Sequence, residues 1–120
     1  MGVAEFIDEV TQEIERIGIT AGTIATIATK HGVQEDGVFY PITGYNHTYY
    51  LWGITEEAGK AFVDLLNARD DFTATLCSPM LMFICGGPIP IKMPMAKKIY
   101  NYKTDHWLPV YFDKKRGKES

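Results

Sequence analysis

The stretch Thr73 to Met93, TATLCSPMLMFICGGPIPIKM, constrains this chain most, because it joins the densest apolar run to the strongest backbone punctuation. Met80-Leu81-Met82-Phe83-Ile84-Cys85 is apolar throughout, yet far shorter than the roughly 20 residues that carry a helix across a bilayer. Pro79 bounds it on one side and Gly86-Gly87-Pro88 on the other, so it is expected to form a buried strand. The preceding Thr73-Ala74-Thr75-Leu76-Cys77 is β-prone, and either pairs with it through a turn at Ser78-Pro79 or continues into it through a bend. Pro88-Ile89-Pro90-Ile91-Lys92-Met93-Pro94 alternates proline with apolar residues. Proline donates no ladder hydrogen bond, so an edge strand or an extended cover is expected here. The core strands are thus placed within residues 73–93.

With 120 residues, 46% of them hydrophobic and 22% charged, the chain can bury a core of its own as a single domain, 1–120. Net charge is −3, and basic residues gather only at Lys114-Lys115-Arg116-Gly117-Lys118. The tail 113–120 reads as a solvated end rather than a nucleic-acid arm. No basic segment followed by an apolar one opens the chain, and no apolar run spans a membrane, so a soluble cytoplasmic protein with no membrane partner is expected. Cys77 and Cys85 could meet across a hairpin, but buried reduced thiols are the simpler expectation, and their spacing is not that of a zinc site.

Val3, Phe6, Ile7, Val10, Ile14 and Ile17 recur at helical spacing above an acidic face, which predicts a helix over 3–17 stopped by Gly18. Residues 20–31 are ambiguous: their threonines and isoleucines favour a strand, whereas Ile24, Ile27 and Ala28 could stripe a short helix. A helix there would raise a helix-turn-helix reading, but Glu35 to Pro41 brings a glycine, a proline and no basic residue to the position of a recognition helix, so nucleic acid is not the expected partner. Gln34-Glu35-Asp36-Gly37 reads as a turn. Val38–Thr43 and Thr48–Ile54 then predict a hairpin over 38–54, with aromatic groups on both faces. Thr55 followed by Glu56 and Glu57 starts a second helix, 55–69, striped by Ala58, Ala61, Phe62, Leu65 and Leu66. Residues 95–102 suggest a turn or two of helix, and 107–112 a last strand that Pro109 would place at an edge, with Leu108, Val110 and Phe112 on one face. The fold class is α+β: a mainly antiparallel sheet, two principal helices and room for a small split-barrel-like arrangement.

No motif dictates chemistry. Cys77 or Ser78 can be combined with Asp105 and His106 into a nucleophilic set, but no spacing demands it. His31, His47 and His106 lack the close pairing of a metal site, and Gly86-Gly87 lacks the partners of a phosphate loop. No catalytic residue, metal ligand or enzymatic activity is assigned. What stands out is the aromatic content around the hairpin and near the end, which suits a planar-ligand pocket, a subunit interface or an aromatic core.

The order of amphipathic helix, GTIATIAT, VFYPIT, TYYLWGIT, EEAGKAFVDLLNA and TATLCS resembles the opening of the flavin-binding split-barrel proteins related to pyridoxamine phosphate oxidase. The resemblance covers about half the chain, through order of elements alone. It implies FMN as a cofactor, with Lys60 near the flavin phosphate; the family's serine is replaced by Ala58 or Gly59, and the segment after Gly87 has no counterpart. The resulting expectation is a domain that binds a small planar or apolar ligand in a pocket lined by Tyr45, Tyr49, Trp52 and Trp107, with Lys60 as an anion contact, at a homo-oligomer interface. The alternatives are an interaction protein with no ligand and a DNA-binding regulator.

Overall fold

A computed structural model describes residues 2–85, 87, 89–90 and 92–115, without the side chains of Pro79 and Cys85. Helix α1 (Val3–Arg16) buries Phe6, Val10 and Ile14 at their four-residue spacing. Ile17, expected to end that stripe, lies past the helix and is exposed. Gly18, at φ +89°, closes the helix through its N–H to the Glu13 carbonyl and turns the chain into strand β1 (Ile19–Thr20). The ambiguous 20–31 segment is helix α2 (Ala21–Lys30). The Thr20 hydroxyl accepts the Thr23 N–H as its cap, Ile24, Ile27 and Ala28 are buried, and the Thr26 and Thr29 hydroxyls donate to carbonyls four residues back.

Strands β2 (Gln34–Ile42) and β3 (Tyr45–Ile54) form the expected hairpin, longer than anticipated. The turn expected at residues 34–37 is absorbed into β2 as an irregularity of register between Gln34 and Phe39, where Gly37 takes φ +81°. With a strand after α2, the three-helix arrangement of a helix-turn-helix is not formed. Helix α3 (Glu56–Ala68) follows, and the Ala58 N–H donates to Thr55 Oγ1 at 3.2 Å. Removing that cap as Thr55→Ala is expected to cost about 1 kcal/mol in urea unfolding, with an unchanged slope.

Beyond α3 come β4 (Phe72–Leu76), helix α4 (Pro79–Cys85), β5 (His106–Trp107) and β6 (Val110–Lys114). The segment expected as a buried strand, 80–85, is therefore a helix. Ser78 accepts the Leu81 N–H on its side chain at 3.2 Å and Pro79 occupies the first helical position, which together form a strong helix start. Only Met82 of its described side chains is buried; Met80, Phe83 and Ile84 are 67%, 63% and 74% exposed. The pairing of Cys77 with Cys85 lies outside the described side chains. Pro88 and Ile91 are likewise outside, and the rest of 89–94 forms no strand. Residues 95–102 are not helical; Met95 bridges to Trp107, and the Ala96 N–H donates to the Trp107 carbonyl at 2.6 Å, so this segment is extended cover.

Two three-stranded sheets result, ordered β1-β6-β4 and β2-β3-β5, antiparallel except for the parallel pair β3 and β5. The fold is α+β with no closed barrel among the described residues. The expected last strand breaks at Leu108-Pro109 into β5 and β6, one in each sheet. Pro109 does not mark an edge: β6 is the central strand, and the Pro109 carbonyl accepts the Cys77 N–H. Asp113 and Lys114, expected in the solvated tail, belong to β6, and 116–120 lie outside the described residues. The core joins α1, α2 and α3 to the sheets, with Phe62 of α3 edge-on to Phe112 of β6 at 5.1 Å. Among the described residues no helix is long and apolar enough to cross a membrane.

Candidate functional site

Strands of both sheets and helix α3 together line a cleft of about 550 Å³. The first sheet contributes Ala74 to Leu76 of β4 and Val110 of β6. The second contributes Tyr40 to Ile42 of β2 and Tyr50 of β3; Val63, Leu66 and Asn67 of α3 complete the lining with Thr43, Ile99 and Leu108. Period-two alternation puts Leu108 and Val110 on the inner face, and helical spacing turns Val63 and Leu66 to one side of α3. None of the lining residues is charged.

The two phenols in the cleft differ in what their hydroxyls do. The Tyr40 hydroxyl lies 2.9 Å from the Ile54 carbonyl and 2.7 Å from that of Thr55, so its one proton is committed to the junction of β3 and α3. Burial, then the carboxylates of Glu56 and Glu35, hold its pKa above the usual phenol value. Tyr50, raised by burial alone, keeps its ring 6.4 Å from Phe112, and its hydroxyl has no hydrogen-bond partner among the described residues. It is the one cleft phenol free to bond a ligand.

The residues expected to line a pocket sit elsewhere, and only some come together. Trp52 and Trp107 are both buried and pack edge-on at 5.8 Å, while Tyr49, paired with Trp107 across β3 and β5, tilts onto Phe39 at 5.5 Å. Trp52 and Trp107 are core, Phe39 packs against that core half-buried, and Tyr49 stays half-buried outside it; Phe39 and Trp52 also show one side to a depression of about 320 Å³ that includes Ile89 and Pro90. Tyr45 stands apart at the start of β3, opposite Ile42. Lys60 lies on the exposed side of α3 in a separate depression with Glu56, Glu57 and Asp64. Three carboxylates there oppose an anionic contact, and the cleft itself holds no Lys or Arg, so the residues present do not fit the phosphate end of FMN.

Asp105 accepts from His47 Nδ1 at 2.6 Å and from the Tyr49 hydroxyl at 3.2 Å. The combination of Ser78 or Cys77 with Asp105 and His106 is not assembled by these bonds. Ser78 caps α4, and the His106 ring stacks on Tyr102 at 3.9 Å with Nδ1 2.8 Å from the Thr104 carbonyl. No group of three potential metal ligands occurs among the described residues. The His47 bond, chiefly, holds the Asp105 carboxyl below the usual carboxylate range. A depressed carboxyl stabilises above the unfolded value of about 3.9, and that stability is lost as pH falls through the lower folded value. In a carboxyl-detected NMR titration, Asp105 should have its midpoint below that of an unpaired aspartate, and His47→Ala should move it up.

The fold and the cleft define an α+β domain with an uncharged apolar groove between two small sheets. Comparison of the chain with protein families, with curated proteins and with solved structures finds no match.

Proposed function

We propose that this protein binds a small, uncharged, apolar or planar ligand in the cleft between its two sheets. One observation carries the reading: a cleft of about 550 Å³ with no charged side chain in its lining, within the usual range of ligand sites. The unpartnered Tyr50 hydroxyl supplies one directional contact, and Asn67 stands at the cleft with both a donor and an acceptor. A ligand with an apolar body and one carbonyl or hydroxyl suits this arrangement; a phosphorylated one does not.

The test is titration with the neutral fluorophore N-phenyl-1-naphthylamine, beside native mass spectrometry and a visible spectrum of freshly purified protein. Val63→Trp, which fills the cleft from α3, should abolish the fluorescence gain while leaving the circular dichroism spectrum intact. Tyr50→Phe should weaken a retained hydrogen-bonding ligand by about tenfold, the effect of one lost bond of about 1.4 kcal/mol. Probe binding that Val63→Trp leaves unchanged would place the apolar site elsewhere. The interaction-protein alternative is supported by α4, whose Met80, Phe83 and Ile84 are exposed.

A further inference from the structure

Strand β4 ends its sheet, and its pairing with β6 dictates where its backbone groups point. In that register the Cys77 N–H donates to the Pro109 carbonyl and the Lys115 N–H to the Asp71 carbonyl. Antiparallel ladders alternate, so Thr73 and Thr75 share this inward direction, whereas Ala74 and Leu76 aim their N–H and C=O groups away from β6. Ala74, Thr75 and Leu76 are exposed, and the backbone groups of Ala74 and Leu76 have no partner among the described residues. Proteins usually blunt such an edge with lysine, proline, a bulge or a covering segment. Phe72–Leu76 contains no charge and no proline, and its register with β6 runs without interruption.

We infer that β4 pairs antiparallel with β4 of a second copy of this chain, joining the two β1-β6-β4 sheets across a two-fold axis. One register satisfies the outward groups of both Ala74 and Leu76. It sets Ala74 opposite Leu76 of the partner subunit and Leu76 opposite Ala74 of the partner subunit, each pair exchanging both of its N–H···O bonds, with Thr75 on the axis facing its own copy. The side chains agree with that register. Alternation along the strand puts small Ala74 beside large Leu76 on one face, and two threonines, a favourable cross-strand pair, meet on the other. An isologous contact needs such self-complementarity, and a strand without charge opposes its copy with no repulsion. Ala74 and Leu76 both line the cleft, so the partner subunit's Leu76 adds to its wall. The pairing stands on backbone geometry whether or not the cleft holds a ligand.

The test is sedimentation equilibrium of the whole chain and of two charge variants over a range of protein concentrations. Thr75 is exposed and away from the core, so neither variant threatens the fold. Thr75→Lys and Thr75→Glu should each raise the dimer dissociation constant by about tenfold or more, because like charges then face each other on the axis. Mixed in equal amounts they should recover a heterodimer. Circular dichroism of each variant separates this pattern from misfolding, and sedimentation of Val63→Trp, whose cleft is filled but whose β4 edge is untouched and which should still dimerise, separates it from failure of the cleft reading. A chain that stays monomeric throughout, leaving the edge to a foreign strand, overturns the inference. So does a dimer indifferent to charge at Thr75, which would place the contact on another face such as α4.

Discussion

Phe112→Ala should be among the most destabilising single truncations in this chain, lowering unfolding free energy by about 3–5 kcal/mol in urea denaturation. Phe112 has no solvent exposure, sits on the central strand between Ile19 of β1 and Ala74 of β4, and meets Phe62 edge-on at 5.1 Å and 90°. Its removal empties a site bounded by two paired strands and a helix, and the strands cannot collapse inward without breaking ladder bonds. Such a loss is a large share of the roughly 5–15 kcal/mol that holds a domain together. Phe112→Leu, which keeps most of the volume, should cost clearly less. A double-mutant cycle with Phe62→Leu should return a coupling of about 0.5–1.5 kcal/mol from the ring pair. A loss below about 1 kcal/mol for Phe112→Ala would mean that this ring is not packed as described.

Gly59→Ala is the second large effect, and its sign runs against helix propensity. In an exposed helix interior the change would gain about 1 kcal/mol. Here a β-carbon would stand 2.6 Å from two atoms of the Tyr40 ring and 2.8 Å from its hydroxyl. That ring cannot easily yield, because its hydroxyl is held at the Ile54 and Thr55 carbonyls. We expect a net loss of about 1–3 kcal/mol from overpacking and the displaced hydrogen bond. The strongest check is the sign reversal: on a Tyr40→Ala background, Gly59→Ala should become neutral or stabilising. Because Tyr40 is part of the cleft wall, Gly59→Ala should also weaken binding of the neutral probe.

Several elements were legible because their signals are local. α1 shows its apolar positions at four-residue intervals, and α3 shows a threonine cap with two glutamates in its first turn. The hairpin was legible from its β-branched and aromatic runs, although its bulge at Gly37 masqueraded as a turn. α4 differs from the strand expected there because six consecutive apolar residues carry no periodicity. The readable clue was the Ser78-Pro79 start, which outweighs a composition equally suited to a buried strand. Of the proposed pocket residues, Trp52 and Trp107 pack together as core, with Tyr49 half-buried beside Trp107 in the neighbouring strand. Nothing near Tyr50 in sequence distinguishes a phenol over a cleft from one under a sheet.

The cleft shows where local reading stops. Its walls come from residues 40 to 110, and each piece was visible as an apolar face without any sign of what it faces. Helix positions, caps and strand faces follow from periodicities of three to four and two residues, whose causes lie within a few bonds along the chain. The division into two sheets has a different origin. The break at Leu108-Pro109 hands β5 to β3 and β6 to β1 and β4, and that choice is made by competition among ladder partners up to some ninety residues apart in sequence. Only the three-dimensional packing settles such a competition, because the hydrogen bonds and apolar contacts that decide it exist only when the distant strands are already side by side.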